Sequence, residues 1–208
     1  MDFGGGTVGA AVYQEGKLLH ISILPVGSSH ITNDIAIGLR TSVETAEKIK
    51  LAYGSCLPEE VSKKETIDLS KIDEKEEGVI GRREISKIVE ARMEEIFSLV
   101  NKELKKIGLE GQLPAGAVLI GGGAKTPDII DLAKDKLKLP VQLGYPQGID
   151  GLVEKIDDPT FATSIGLIFW ALEIAGDNEE KNPFMSRISP AGPKAIGKIK
   201  SWLRNFLP

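Results

Sequence analysis

Asp2-Phe3-Gly4-Gly5-Gly6-Thr7 places a carboxylate, three consecutive glycines and a hydroxyl within six residues. Phosphate oxygens are bound by backbone N–H groups at close approach, and a chain without Cβ atoms can fold tightly enough to offer them. Residues 6–13 and 17–24 read as two strands joined by a turn at Gln14-Glu15-Gly16. The segment 2–6 therefore lies at or inside the start of the first strand, and a strand turn, not a helix, follows the glycines. A carboxylate there can hold a magnesium ion directly or through water, which assigns that role to Asp2. Thr7 adds a hydroxyl. A glycine-rich hairpin end without a ligand has the same local pattern, so the motif alone leaves both readings open. A chain that begins at the working edge of a strand also raises the expectation of polypeptide before Met1.

Further along, Gly27-Ser28-Ser29 reads as a loop, after which Ile31, Ile35 and Leu39 recur at helical spacing. A second helix is predicted from Thr41, where Thr41-Ser42-Val43-Glu44 fits a capping box, to about Tyr53, stopping at Gly54. Glu47 and Lys50 stand three apart on it and share a face. They can hold a ribose and a purine from the side, or form a solvated ion pair.

The character then changes. Residues 58–78 are rich in Lys and Glu, and Ile67, Leu69 and Ile72 suggest a short, half-exposed strand. From 82 to 107 the positions Ile85, Ile88, Val89, Met93, Ile96, Phe97, Val100 and Leu104 form one stripe of a long amphipathic helix. Together these pieces predict a small inserted subdomain.

Residues 117–120 form a short buried strand leading to Gly121-Gly122-Gly123-Ala124. Thr126 is expected to cap the next helix, with Pro127 in its first position. A glycine turn at a helix N-terminus favours a polar ligand, although tight strand–helix packing alone would also explain it. Two such loops at matched strand ends favour a nucleotide site. Residues 139–143 are another strand candidate, and the apolar stretch 161–175 reads as a core helix, too short and interrupted to span a bilayer.

Composition narrows the class. The chain has 208 residues, 41% of them hydrophobic, and a net charge of −4, which argues against general nucleic-acid binding. One cysteine, Cys56, excludes an internal disulfide and fits a reducing compartment; His20 and His30 with it make no zinc constellation.

Residues 177–193 hold Asn, Pro, Gly and Ser without periodicity and read as a linker. The stretch 194–207 then carries Lys194, Lys198, Lys200 and Arg204 and no acid. Setting those four aside leaves 22 basic against 30 acidic residues, so a body at −8 bears a tail at +4. Ile196, Ile199, Trp202, Leu203, Phe206 and Leu207 occupy one arc of a helical wheel. Such a helix lies in a membrane interface with its lysines towards anionic lipid. Folding back onto the body or a partner is the competing reading.

Taken in order, several strings resemble the actin-like bacterial cell-division family FtsA. They are Asp2 to Thr7, Leu24-Pro25-Val26-Gly27, His30-Ile31-Thr32-Asn33-Asp34-Ile35-Ala36, Ala46-Glu47-Lys48-Ile49-Lys50, Leu119 to Ala124 and Phe161 to Leu167. The resemblance covers nearly all of this chain and the second half of the family protein. It implies an α/β, actin/Hsp70-like (ribonuclease H-like) nucleotide-binding half with an inserted α+β subdomain and a C-terminal amphipathic helix. Residues 1–55 and 112–176 would form subdomain 2A, 56–111 subdomain 2B, 177–193 a linker and 194–208 a membrane-targeting helix.

By the same resemblance, ATP with Mg2+ would lie in a cleft between this half and another. Asp2, Gly4, Gly5, Gly6 and Thr7 match the second phosphate loop. Glu47 and Lys50 match the ribose and purine contacts, and Gly121, Gly122, Gly123 and Ala124 the adenosine loop. Subdomain 2B would receive the C-terminal peptide of the tubulin-like division protein FtsZ, for which Arg82, Arg83 and Arg92 form a candidate receptor edge. Self-association into actin-like filaments, other divisome proteins and the cytoplasmic face of the septal membrane are also implied. The family usually continues its phosphate loop with a second threonine and an aspartate, where this chain has Val8 and Gly9, so weak or no hydrolysis is expected. The alternatives are a pilus-assembly relative, a sugar kinase or a chaperone ATPase of the same superfamily.

Overall fold

The computed structural model describes residues 1–148 and 156–177. The chain divides into two units, Met1–Thr163 and Ser164–Pro208. The linker 177–193, apart from its first residue, and the tail 194–208 lie outside the described residues, as do all the membrane-facing positions named above.

In the first unit, β2 (Val8–Gln14) and β3 (Lys17–Leu24) form an antiparallel hairpin. Glu15 and Gly16 both take positive φ, 50° and 76°, the two-residue turn whose twist matches that of the strands it joins. β1 is a separate two-residue strand, Asp2–Phe3, antiparallel to β2. This differs from the reading that ran residues 2–6 into the first strand: Gly4 donates to Thr7 C=O at 2.9 Å and closes a tight turn between the two strands. On its other edge, β1 meets β6 (Ala117–Leu119) through a parallel bridge from Asp2 to Ile120, and β6 pairs in parallel with β7 (Val141–Leu143). The strand order is thus β3-β2-β1-β6-β7, with β1 in the middle.

Period-two burial fixes which face of this sheet is internal. Val8, Ala10 and Val12 are buried and alternate with exposed or half-exposed neighbours. Against them lies α3 (Arg82–Lys106), whose buried stripe Ile85, Val89, Met93, Ile96, Phe97, Val100 and Leu104 follows the expected spacing. Phe97 meets Phe3 edge-to-face, with ring centroids 5.7 Å apart. One core therefore runs from the sheet into the helix placed in the expected insert. The rest of that region is a small hairpin, β4 (Thr66–Asp68) with β5 (Val79–Gly81).

Two short helices, α1 (Ser28–Leu39) and α2 (Val43–Tyr53), complete this side, and α4 (Ile129–Leu137) packs near α3 and β7. The start of α2 corrects the expected capping box. Ser42 is the cap, accepting from Thr45 N–H at 3.0 Å, while Thr41 Oγ1 donates to Glu76. α4 likewise begins later than expected. Thr126 donates to Gly123 C=O at 2.8 Å and ends a 3-10 turn, and Asp128, in the left-handed region at φ 65°, precedes the helix.

The described part of the second unit lies in α5 (Ala162–Asp177). The helix is where the apolar stretch placed it, but Leu167, Phe169, Trp170, Leu172 and Ile174 are exposed, contrary to a buried core helix. Its apolar residues surround the axis, so a single contact face cannot cover them.

Candidate functional site

Ser28 is the point on which the site converges. Its N–H and its Oγ both donate to Gly4 C=O, at 3.0 and 3.2 Å, and Ser29 N–H donates to Gly5 C=O at 2.8 Å. The glycine turn is therefore sewn onto the first turn of α1. Gly27 permits this: a Cβ there would stand 2.5 Å from Gly5 O and 2.6 Å from Gly4 O, both backbone atoms. His30 completes the helix start, its Nδ1 accepting from Gly27 N–H at 3.1 Å. Gly27-Ser28-Ser29 is thus a helix start, where sequence spacing alone suggested a loop.

The turn keeps its outer surface free. Gly5, Gly6 and Thr7 are exposed, and among the described residues their N–H groups donate to no protein acceptor. Nothing lies within 4 Å of a Cβ placed on Gly6. This is the backbone arrangement that can accept anionic oxygens.

The second glycine loop lies alongside. Gly121 has φ 87°, and a Cβ there would sit 2.4 Å from Asp2 Oδ1 and 2.7 Å from Phe3 O. A Cβ on Gly123 would stand 2.9 Å from Phe3 Cβ and 3.5 Å from Ser28 Cβ. Both glycines are therefore required by the close approach of this loop to β1 and α1, while Gly122 has open space. Lys125 and Asp158 pair at 2.5 Å beside it, and Gly121 N–H donates to Pro159 C=O at 2.9 Å. The Lys125 hydrogen bond, with those from Thr160, brings the Asp158 carboxyl down to about 2.

From α2, Lys50 reaches into the same region. Its Nζ lies 2.7 Å from Glu47 Oε2, 2.9 Å from Thr32 Oγ1 and 3.3 Å from Ser28 O. Thr32 Oγ1 in turn donates to Glu47. Burial disfavours the Glu47 carboxylate, but hydrogen bonds from Lys50 and Thr32 and the charge of Lys50 outweigh it and hold the carboxyl below its ordinary value. Beside Glu47, an open groove of about 460 Å³ runs between α1 and α2, lined by Ser29, Thr32, Asn33, Val43, Glu47 and Leu51 among others. The expected ion pair is real, but it is anchored to α1 and is not merely solvated. Thr32 and Ser28 went unrecognised in the sequence; the four-residue spacing that puts them on one helix face was the available signal.

Asp2 fits magnesium only indirectly. Its Oδ2 accepts from Thr163 Oγ1 at 2.6 Å, and its Oδ1 is packed against Gly121. Among the described residues no group of three or more His, Cys, Asp or Glu side chains could hold a metal ion. Magnesium commonly keeps its waters and uses one or two carboxylates plus phosphate oxygens, so a contact through water remains compatible with Asp2.

The three arginines separate. Arg92 Nε and Nη2 donate to Asp34 Oδ2 and Oδ1 at 2.6 and 2.8 Å, and its Nη1 reaches Glu95. It lines a groove of about 560 Å³ between α1, β5 and α3, with Leu39, Ile80, Ile88 and Ala91 as apolar walls. Arg82 instead joins Tyr53 C=O and Glu65, at 3.0 and 2.9 Å, and Arg83 pairs with Glu59. Nine residues along a helix are half a turn out of phase, so Arg83 and Arg92 emerge on opposite faces of α3.

A five-stranded sheet with a central glycine-turned β1, a second glycine loop beside it and helices closing one face define the actin-like ATPase fold. Solved structures agree: MreB5 of Spiroplasma citri bound to AMPPNP matches with a TM-score of 0.65 at 20% identity, over 87% of this chain and 54% of that one. The PilM-PilN type IV pilus biogenesis complex gives a TM-score of 0.61 at 18% identity, over 82% and 44%. The family model for cell division protein FtsA matches residues 1–166, and the chain belongs to that family. The FtsA of Pseudomonas aeruginosa PAO1 is 34% identical over 99% of this chain and 50% of its own length; that of Bacillus subtilis 168 is 38% identical over 82% and 38%. The chain thus spans about half the length, or less, of these relatives.

Proposed function

We propose that this chain acts in cell division as a nucleotide-dependent link between the tubulin-like FtsZ ring and the membrane, and helps recruit other divisome proteins. The observation that carries the reading is the Arg92 groove. It combines apolar walls with a fixed cation, the pairing that the C-terminal peptide of FtsZ, with its apolar and charged groups, would use. Arg82 and Arg83, held by Tyr53, Glu65 and Glu59 away from this groove, are not part of its lining, so the receptor in this reading rests on Arg92 alone. Residues 56–111 form the receptor subdomain and 1–55 with 112–176 the nucleotide-binding one.

ATP would sit with its phosphates on the exposed turn Gly4, Gly5, Gly6 and Thr7 and its ribose and base beside Glu47 and Lys50. Gly121, Gly122, Gly123 and Ala124 would border the adenosine. Asp2 would hold Mg2+ through water, and the ion would supply positive charge to offset that of the phosphates. Val8 and Gly9 provide no hydroxyl or carboxylate next to the turn, so the nucleotide serves as a structural effector more than as a substrate. Self-association into filaments belongs to the same reading.

The basic tail supplies the membrane contact. Lys198, Lys200 and Arg204 would face anionic headgroups while Ile196, Ile199, Trp202, Leu203, Phe206 and Leu207 enter the interface; each cation near such a surface contributes about 1 kcal/mol. The protein would then be peripheral, on the cytoplasmic face at the septum. Titration of a labelled FtsZ C-terminal peptide tests the receptor. Saturable binding that Arg92→Glu weakens at least about tenfold supports it, and binding indifferent to that change rejects it.

A further inference from the structure

Lys50 stands behind the groove between α1 and α2, not on its surface. Glu47 lines that groove and Lys50 does not, and the Lys50 side chain is only 11% exposed. An ammonium group has three N–H donors and no acceptor. Three protein oxygens already surround this one: Glu47 Oε2 at 2.7 Å, Thr32 Oγ1 at 2.9 Å and Ser28 O at 3.3 Å. Lys50 could reach a purine only by giving up one of them.

Those three oxygens belong to different parts of the site. Ser28 opens α1, and its N–H and Oγ donate to Gly4 C=O at 3.0 and 3.2 Å, while Ser29 N–H donates to Gly5 C=O at 2.8 Å. Thr32 lies one turn further along α1 and is buried. Its hydroxyl accepts from Lys50 and donates to Glu47, so it is used in both directions. Glu47 Oε2 thus has two donors, whereas among the described residues nothing donates to Oε1. One line of contacts runs from the groove to the glycine turn, through Glu47, Lys50, Ser28 and Gly4.

We infer that Lys50 is a positioning residue, a strut joining the groove wall to the glycine turn, and that Glu47 Oε1 is the contact left for the nucleoside. The inference rests on the nucleotide reading and narrows it, since it removes the purine contact expected of Lys50. Despite the opposing effect of burial, Lys50 and Thr32 hold the Glu47 carboxyl below its ordinary value. An ionised carboxylate only accepts hydrogen bonds, so the group it meets must donate, as a ribose hydroxyl does. Loss of Lys50 should therefore be felt at both ends of the site. Glu47 loses a donor, and Ser28 C=O loses the contact that ties the start of α1 to α2. A purine contact would be felt at the nucleoside end alone.

The test compares the 208-residue chain with its Lys50→Met and Thr32→Val forms. Without nucleotide, Lys50→Met should raise the Glu47 titration midpoint, followed by carbon NMR, and speed amide exchange at Ser28 and Ser29 by at least about tenfold. With magnesium present it should weaken binding of AMPPNP by at least about tenfold, and of tripolyphosphate, which has no base, by about threefold or more. Thr32→Val removes the relay hydroxyl and leaves Lys50 in place, so it reports on the network even where Lys50→Met fails to fold. It too should raise the Glu47 midpoint and weaken AMPPNP. Exchange at Ser28 and Ser29 unchanged by Lys50→Met would overturn the strut. So would a loss confined to AMPPNP with tripolyphosphate binding intact, which would return Lys50 to the purine. A Glu47 midpoint unmoved by Thr32→Val would overturn it as well. A parent chain that bound no AMPPNP would instead reject the nucleotide reading itself, and this inference with it.

Discussion

Asp34 on α1 grips Arg92 on α3 through two parallel hydrogen bonds, of 2.6 and 2.8 Å, and so fixes a cation at the mouth of an apolar groove. A two-pronged pair holds the guanidinium plane as well as its charge. The Asp34 hydrogen bonds, with the charges of Asp34 and Glu95, outweigh desolvation and push the Arg92 pKa up, so the guanidinium stays protonated while both carboxylates pair with it.

Asp34→Asn is expected to cost about 1 kcal/mol of stability, the scale of a partly exposed pair, and to loosen Arg92. Peptide affinity should fall by less than for Arg92→Ala, which removes the cation altogether. Urea unfolding and fluorescence anisotropy on the same variants check this. Equal affinities for Asp34→Asn, Arg92→Ala and the parent chain would detach the pair from recognition.

The glycines divide into structural and ligand-facing positions. Gly27→Ala and Gly121→Ala should destabilise by about 1–3 kcal/mol, because each new methyl meets backbone that cannot yield, and at Gly121 the positive φ adds strain. Gly6→Ala meets nothing within 4 Å and should keep the unfolding free energy within about 0.5 kcal/mol of the parent. It should nevertheless weaken binding of an ATP analogue, measured by calorimetry. Unchanged affinity in Gly6→Ala would move the phosphates away from this turn.

Asp158 gives a pH signature. Its folded carboxyl is lowered from 3.8 to about 2, chiefly by Lys125, so its contribution is fully present above the unfolded value and is lost as pH falls through the folded one. Asp158→Asn should lower stability by about 1 kcal/mol at pH 7, and the gap to the parent should close between about pH 4 and pH 2. Denaturant midpoints across that range measure it. A gap that widened on acidification would contradict the assigned sign.

Much of the architecture was legible because it is periodic. The α3 stripe, the 17–24 strand, both glycine loops and the Glu47–Lys50 pair could be read from spacing, and the family resemblance is borne out. What escaped depends on partners distant in sequence. Thr41 and Ser42 are adjacent hydroxyls, and Glu76, far along the chain, recruits the first and leaves the second to cap α2. Ser28 begins a helix because the carbonyls of Gly4 and Gly5 occupy its first N–H groups. β5 is three residues long and follows Gly78 at φ 113°, too brief for alternation to show. Arg83 and Arg92 looked equivalent as charges; helix phase separates them.

The link between polymer and membrane is tested most directly by co-sedimentation of FtsZ polymers with anionic phosphatidylglycerol vesicles. With the chain present, the vesicles should carry FtsZ down. Deletion of residues 202–208 should release both proteins, and Arg92→Glu should release FtsZ alone while the chain stays bound. FtsZ left in the supernatant with the unmodified chain on the vesicles, or FtsZ carried down equally by the Arg92→Glu form, would contradict the link through this groove.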